Sequence, residues 1–190
     1  MRISEAKRRS RFWSWRYWQR LGAVCGLWFL VVSLTACRSP MQASGITVKV
    51  EQVASGQVIE ISPTNRAPGA PERVRLIGID APDLAQQPWG AAAKQQLERL
   101  IGNQPVLLEL GQEPRDRYDR TLAYVWRDGK LLNEQLVEAG YALAVPRSPN
   151  TKYDQRLKRA QEKARLMGVG IWNPDQPMRL TPAEFRAQNR

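Results

Sequence analysis

Apolar and polar residues alternate through ITVKVEQV (Ile46 to Val53) and QVIEI (Gln57 to Ile61), the period-two pattern of strands with one face in water. Ser55-Gly56 supplies a turn between them, and the Pro- and Gly-dense SPTNRAPGAPE separates this hairpin from a third strand, RVRLIGI (Arg73 to Ile79). These connections are too short for crossover helices, so the strands are expected to pair antiparallel in a meander. The period then changes. In QPWGAAAKQQLERLI, Pro88 marks a helix start and Ala92, Leu97, Leu100 and Ile101 fall at helical spacing. PVLLEL and TLAYVW read as two further strands, and Asp128-Gly129 turns the second into a short helix, KLLNEQLVEAGYA, closed at Gly140. An amphipathic helix from Lys152 to Met167 is expected to bury Tyr153, Leu157, Ala160, Ala164 and Leu166. The tail LTPAEFRAQ offers Thr181 as N-cap, Pro182 at the first helical position and Glu184 at the third. Five strands with about three main helices predict an α+β chain, a five-stranded antiparallel barrel of the OB type.

The N-terminal pattern belongs to neither period. Seven Lys or Arg against Glu5 fill the first twenty residues, with aromatics interleaved as suits a membrane interface, and fourteen uncharged, mostly apolar residues follow (Leu21 to Leu34). That run rises only about 21 Å as a helix, short of the roughly 30 Å a membrane span needs, so it reads as a signal peptide. Leu34-Thr35-Ala36-Cys37 resembles the lipobox of bacterial lipoproteins, which implies cleavage before Cys37 and a lipid on its thiol. The division expected is a lipoprotein signal peptide over 1–36, a spacer over 37–45, the barrel domain over 46–172 and a tail with a short helix over 173–190. The expected location is the cell envelope, membrane-anchored and facing the periplasm or the exterior.

Removing that leader changes the charge. Seven basic residues against one acid lie before Cys37, and 22 against 17 from there on, so the mature chain keeps an excess of only +5. This is compatible with an anionic partner such as nucleic acid. With Cys25 in the apolar run and Cys37 lipidated, no thiol pair is left for a disulfide or a metal cluster. The chain has no histidine, which excludes imidazole bases and the usual zinc sites, and it has no glycine-rich nucleotide loop. Any catalysis must run on carboxylates, arginines and an ion.

Three blocks carry a resemblance: VRLIGIDAPD (Val74 to Asp83), DRYDRTLAYVWRDGKLLNEQLVEAGYA (Asp116 to Ala142) and YDQRLKRAQEKARLMGVGIW (Tyr153 to Trp172). In order and spacing they resemble the staphylococcal nuclease (thermonuclease) family, across roughly Ile46 to Trp172. The resemblance implies a calcium-dependent phosphodiesterase on an OB barrel, cutting DNA and RNA with little sequence preference. It further implies that Arg75 and Arg120 face the phosphoryl oxygens, that Asp80 and the Ala81 carbonyl ligate Ca2+, and that Asp83 orients or deprotonates the attacking water. The chemistry suits these residue types, because a hard cation prefers oxygen ligands and arginine can donate two parallel bonds to phosphate. Pro82 disfavours the helical region for Ala81 and so stiffens the turn that carries both acids.

The sequence also departs from the family. Where the family's first hairpin has Asp-Gly-Asp-Thr, this chain has Ser55-Gly56-Gln57-Val58, so Gln57 offers a neutral carbonyl in place of a carboxylate ligand and ion affinity is expected to fall. Asp83 replaces a glutamate and draws the carboxylate back by about 1.5 Å. Asp119 replaces a glycine in the RYDR segment, and VPRSPN lacks the aromatics that help hold a base. Tyr118 reads equally as a substrate-groove residue or as a barrel-edge aromatic. Lys158, Arg159, Lys163 and Arg165 read as a solvated face. Two function classes follow, and the first is a weakened or retuned nuclease acting on DNA or RNA, with single strands the expected substrate.

 A catalytically degenerate OB-type module that binds single-stranded nucleic acid or protein at the envelope is the second. A monomer is assumed in both.

Overall fold

The computed structural model describes residues 44–62 and 71–189. The signal peptide, the lipidation reading on Cys37, most of the spacer and the Pro- and Gly-rich residues 63–70 lie outside them. The strands are β1 (Ile46–Val48), β2 (Val50–Ser55), β3 (Val58–Ile61), β4 (Glu72–Leu76), β5 (Ile79–Asp80), β6 (Val106–Arg115), β7 (Thr121–Arg127), β8 (Lys130–Leu131) and β9 (Leu143–Ala144). The helices are α1 (Trp89–Ile101), α2 (Leu132–Glu138), α3 (Asp154–Met167) and α4 (Pro182–Gln188), with one 3-10 turn at Gly170–Trp172.

The main sheet runs β1-β6-β7-β4-β3-β2. Its two end strands are consecutive in the chain and separated only by Lys49, so one bent stretch borders both ends of the path and curls the sheet into the OB-type barrel. Counting that stretch once leaves five long strands, as the alternation predicts. The meander β2-β3-β4 is antiparallel, with Ile59 opposite Val74. One pairing departs from the all-antiparallel expectation: β4 and β7 run parallel, Arg75 opposite Leu122. The connection between them passes through α1 and β6, long enough for the chain to re-enter the sheet from the same end.

Ile59, Val74, Leu76, Leu97, Leu122, Val125, Leu136 and Leu157 fill the interior. Two buried asparagines tie the layers together. Asn133 on α2 accepts the Val125 N–H at 3.0 Å and donates to the Ile77 carbonyl at 2.8 Å. Asn150 clasps both backbone groups of Glu113 at 3.1 Å.

Several local expectations are corrected. RVRLIGI is not one strand: it breaks at Ile77-Gly78, where Gly78 has φ +76°, and Asp80 passes to β5, opposite Leu143. The first hairpin turns at Gly56-Gln57 rather than at Ser55-Gly56, because β2 runs on through Ser55. On α1 Ala93 is buried and Ala92 only half so. Leu166 on α3 is 89% exposed, since two residues from Ala164 is roughly 200° around a helix with about 3.6 residues per turn. The Thr181 capping box forms as the spacing predicts, with Thr181 Oγ1 accepting the Glu184 N–H at 3.2 Å and the Glu184 carboxylate accepting the Thr181 N–H at 2.8 Å. The segment before α4 is anchored by Met178 N–H to the Ile171 carbonyl at 3.0 Å and by Gln86 Nε2 to the Leu180 carbonyl at 2.7 Å.

Candidate active site

The break at Ile77-Gly78 folds the end of β4 back on itself, so Arg75 and Asp80 meet. Arg75 Nη2 donates to the Ile79 carbonyl at 3.1 Å and lies 3.7 Å from Asp80 Oδ1. Both side chains are largely buried, 14% and 10% exposed. The second carboxylate oxygen of Asp80 accepts from Arg186 Nη2, on α4, at 2.6 Å. Asp80 Oδ1 has no hydrogen-bond partner although it is buried.

The hairpin turn lies against the acidic turn, and Gly56 permits the contact: a Cβ there would stand 2.6 Å from that of Ala93 and 3.0 Å from that of Ala81. Gln57 uses the proximity, its Oε1 accepting the Ala81 N–H at 2.8 Å and its own carbonyl accepting the Leu76 N–H at 2.9 Å. Asp83 is half-buried, and its Oδ1 accepts the Ala85 N–H at 3.0 Å, so the short carboxylate closes its own turn. Gly90 lets α1 begin directly over this turn, because a Cβ there would come within 1.9 Å of the Asp83 carbonyl oxygen.

Arg120 is held from a separate loop. Its Nε donates to Asp116 Oδ2 at 2.8 Å, its Nη2 lies 2.7 Å from the same oxygen, and its backbone N–H reaches Asp116 Oδ1 at 3.1 Å. Asp119, where the family has glycine, adopts φ +59° and is gripped by Arg115 through both carbonyl and carboxylate at 3.1 Å. Burial alone pushes the Asp116 carboxyl up, but the hydrogen bonds from the Arg120 guanidinium and from the Arg120 and Tyr118 N–H groups outweigh it and hold it below the usual carboxylate range. Tyr118 is 63% exposed, with the Arg117 and Arg120 guanidiniums 4.7 and 5.3 Å from its ring centre.

A cavity of about 150 Å³ opens beside Asp80 and is lined by Arg75, Gly78, Val145, Arg147 and Arg186 among others. Burial pushes Arg75 down to about 10 against the pull of Asp80, and the charges of Arg120, Arg147 and Arg186 act in the same direction as burial. Arg75 and Asp80 thus meet at this cavity, while Gln57 is tied to the Ala81 N–H beside Asp80 and neither Gln57 nor Ala81 lines it. Arg120 lies near enough for its charge to be felt at Arg75, but like Asp83 and Tyr118 it does not line the cavity. Arg147 and Arg186 were not expected. The capping box predicts an ordered helix around Arg186, but nothing local in the sequence says what that helix covers. Arg147 lies in the segment noted only for lacking aromatics.

Among the described residues no three His, Cys, Asp or Glu side chains cluster as an ion site. The donors present are nonetheless oxygens suited to a hard cation: the unpartnered Asp80 Oδ1 and the neutral carbonyl of Gln57, which keeps a second lone pair beside its bond to Ala81. The set fits calcium chemistry with one anionic ligand.

A barrel edge that sets two arginines beside an aspartate turn defines a class, and the similarities agree. The family model described as "Staphylococcal nuclease homologue" matches residues 73–174, and the chain belongs to the staphylococcal nuclease family. It is 37% identical over 140 residues to a "Thermonuclease" of Staphylococcus intermedius, covering 71% of this chain and 81% of that protein. A "Thermonuclease" of Staphylococcus hyicus is 34% identical over 145 residues, covering 70% and 83%. The "SPbeta prophage-derived endonuclease YokF" of Bacillus subtilis (strain 168) is 30% identical over 135 residues, 67% of this chain and 44% of that protein.

Proposed function

We propose that the protein is a nuclease that hydrolyses phosphodiester bonds of DNA and RNA with low sequence specificity, retuned by Gln57 and Asp83. The observation that carries this reading is the pair Arg75 and Asp80 at the mouth of a cavity that two further arginines line. Water attacks phosphorus and gives up its proton, for which Asp83 is the proposed acceptor once its carboxylate leaves the Ala85 N–H, and the P–O bond on the opposite side breaks as the leaving oxygen takes a proton from solvent water. Negative charge grows on the phosphoryl oxygens during this step. Arg75, fixed by the Ile79 carbonyl, and Arg120, fixed by Asp116, are preorganised to meet it without rearranging. Asp80, Gln57 and the Ala81 carbonyl would hold Ca2+, which when bound supplies a Lewis acid for a phosphoryl oxygen.

In this proposal the protein acts as a monomeric lipoprotein, exported and tethered through Cys37, on single-stranded substrate outside the membrane. Mass spectrometry of the mature protein tests the tether, expecting a lipidated Cys37 at the N-terminus and an unmodified thiol if the reading is wrong. The function is tested with the purified chain lacking residues 1–37 on denatured DNA in millimolar calcium. Cleavage is expected, and Arg75→Ala is expected to lower it by about 10² to 10³, the cost of losing one preorganised donor. Tight single-strand binding without cleavage would favour the non-catalytic module.

A further inference from the structure

Asp80 is the single carboxylate of the ion site, and one of its oxygens is already taken. Arg186 reaches it from α4, across a separation of 106 residues, and makes the contact through Nη2 at 2.6 Å. No other carboxylate competes for this guanidinium among the ion pairs of the described residues. The two arginines on Asp80 are unlike each other. Arg75 is 14% exposed and tied to the Ile79 carbonyl, whereas the Arg186 side chain is 37% exposed and holds Asp80 from a seven-residue helix.

We propose that Arg186 is a displaceable counter-ion of Asp80, which neutralises the carboxylate in the metal-free protein and which a divalent cation must expel in order to bind there. The inference rests on the ion site assigned above. Two observations carry it beyond that assignment. The buried Asp80 Oδ1 has no hydrogen-bond partner, so the carboxylate is only half satisfied by its guanidiniums and keeps an oxygen for an incoming ion. In addition, Arg147 and Arg186 line the same cavity as Arg75, so a positive ion entering there meets three guanidiniums against one carboxylate. Charge repulsion and the occupied oxygen both oppose the ion until Arg186 moves.

Displacement also gives the expelled guanidinium a destination. Arg186 lines the cavity with Arg75 and Arg147, where a phosphate offers the negative charge that Asp80 no longer provides. Ion binding and phosphate binding are thereby coupled with positive sign, and by linkage each strengthens the other.

Calcium titration by calorimetry separates the possibilities, using the chain lacking residues 1–37 as wild type, Arg186→Ala, Arg186→Lys and Asp80→Asn, with thermal melting as a check on folding. Arg186→Ala is expected to bind calcium about tenfold more tightly, since a competing ion pair worth on the order of one decade no longer has to be broken. Arg186→Lys should fall between the two, because lysine keeps the charge but not the planar fork. Asp80→Asn should abolish binding. A folding defect cannot produce the gain, as a damaged site binds less. Equal affinity in wild type and Arg186→Ala, with binding lost in Asp80→Asn, would overturn the counter-ion role and leave the ion site standing. Absence of calcium binding in every variant would overturn both, while the cleavage assay on wild type judges the nuclease reading separately.

Discussion

The side-chain oxygen of Gln57 accepts the backbone N–H of Ala81 at 2.8 Å, so the residue that replaces the family's carboxylate also fastens the first hairpin to the acidic turn. It gains a backbone hydrogen bond, and in the proposed ion site it would give up a negative ligand. The fold and the proposed ion site would thus make opposite demands on one position.

Gln57→Asp tests that opposition. The shorter side chain draws away from the Ala81 N–H, at a cost of about 1 kcal/mol, while restoring a second negative ligand. Melting in chelator should fall by roughly 2–4 °C for a domain of this size. Calcium should then raise the melting temperature of the variant more than that of wild type. Equal calcium-induced shifts in the two proteins would place the ion elsewhere.

Arg75→Lys probes the environment that brings Arg75 down to about 10. A lysine begins near 10.4, and the same burial and the same neighbouring guanidiniums push it lower. Its charge is present at low pH and disappears as pH rises through that lowered value. The variant's turnover should therefore decline with pH on the alkaline side at lower pH than wild type does, in addition to a general loss of bidentate phosphate contact. Parallel pH–rate profiles for the two proteins would contradict this.

Asp83→Glu lengthens a carboxylate that now closes its own turn onto the Ala85 N–H at 3.0 Å. Freed from that bond, the longer side chain can extend toward the water. Combined with Gln57→Asp, the gain in kcat should exceed the sum of the single effects in free energy, because ion and base act on one water. The four-member cycle is read on denatured DNA. Background rates throughout, with single-strand binding intact, would identify a binding module instead of an enzyme.

Asp116→Asn removes the carboxylate that aims Arg120. Cleavage efficiency should drop by about tenfold, as expected when a positioned charge loses its orienting partner. Stability carries a separate signature. Because Asp116 is held below the ordinary carboxylate value, its contribution is present above that value and is lost as pH falls through the lowered one. Acid unfolding curves should show this part of the pH dependence in wild type and not in the variant.

The barrel was legible because its signals are local and mutually consistent. Alternation in Gln57 to Ile61 and the Asp128-Gly129 turn each specify their element without help from distant residues. Where the reading slipped, a tertiary contact decided the outcome. RVRLIGI carries strand propensity throughout, yet Gly78 turns the chain so that Asp80 can pair with Leu143. Leu166 is apolar, but it lies on the far side of α3 from Leu157 and Ala164. Arg75, Asp80 and Ala81 came from motif resemblance and Gln57 from the point where the sequence departs from it; in the fold Arg75 meets Asp80 and Gln57 bonds to the Ala81 N–H. Arg186 had no such motif, since its role depends on a partner more than a hundred residues earlier.

That separation of 106 residues gives the site a history as well as a geometry. Loops of such length close late, after the local hairpins and helices have formed. The meander that carries Arg75, and the β5–β9 pair that carries Asp80, can assemble while α4 is still undocked, and the carboxylate then stands without its second guanidinium. If Arg186 is the counter-ion proposed above, a folding chain would present Asp80 in its most ion-receptive form during that interval, and calcium present during refolding would meet less opposition than calcium added afterwards.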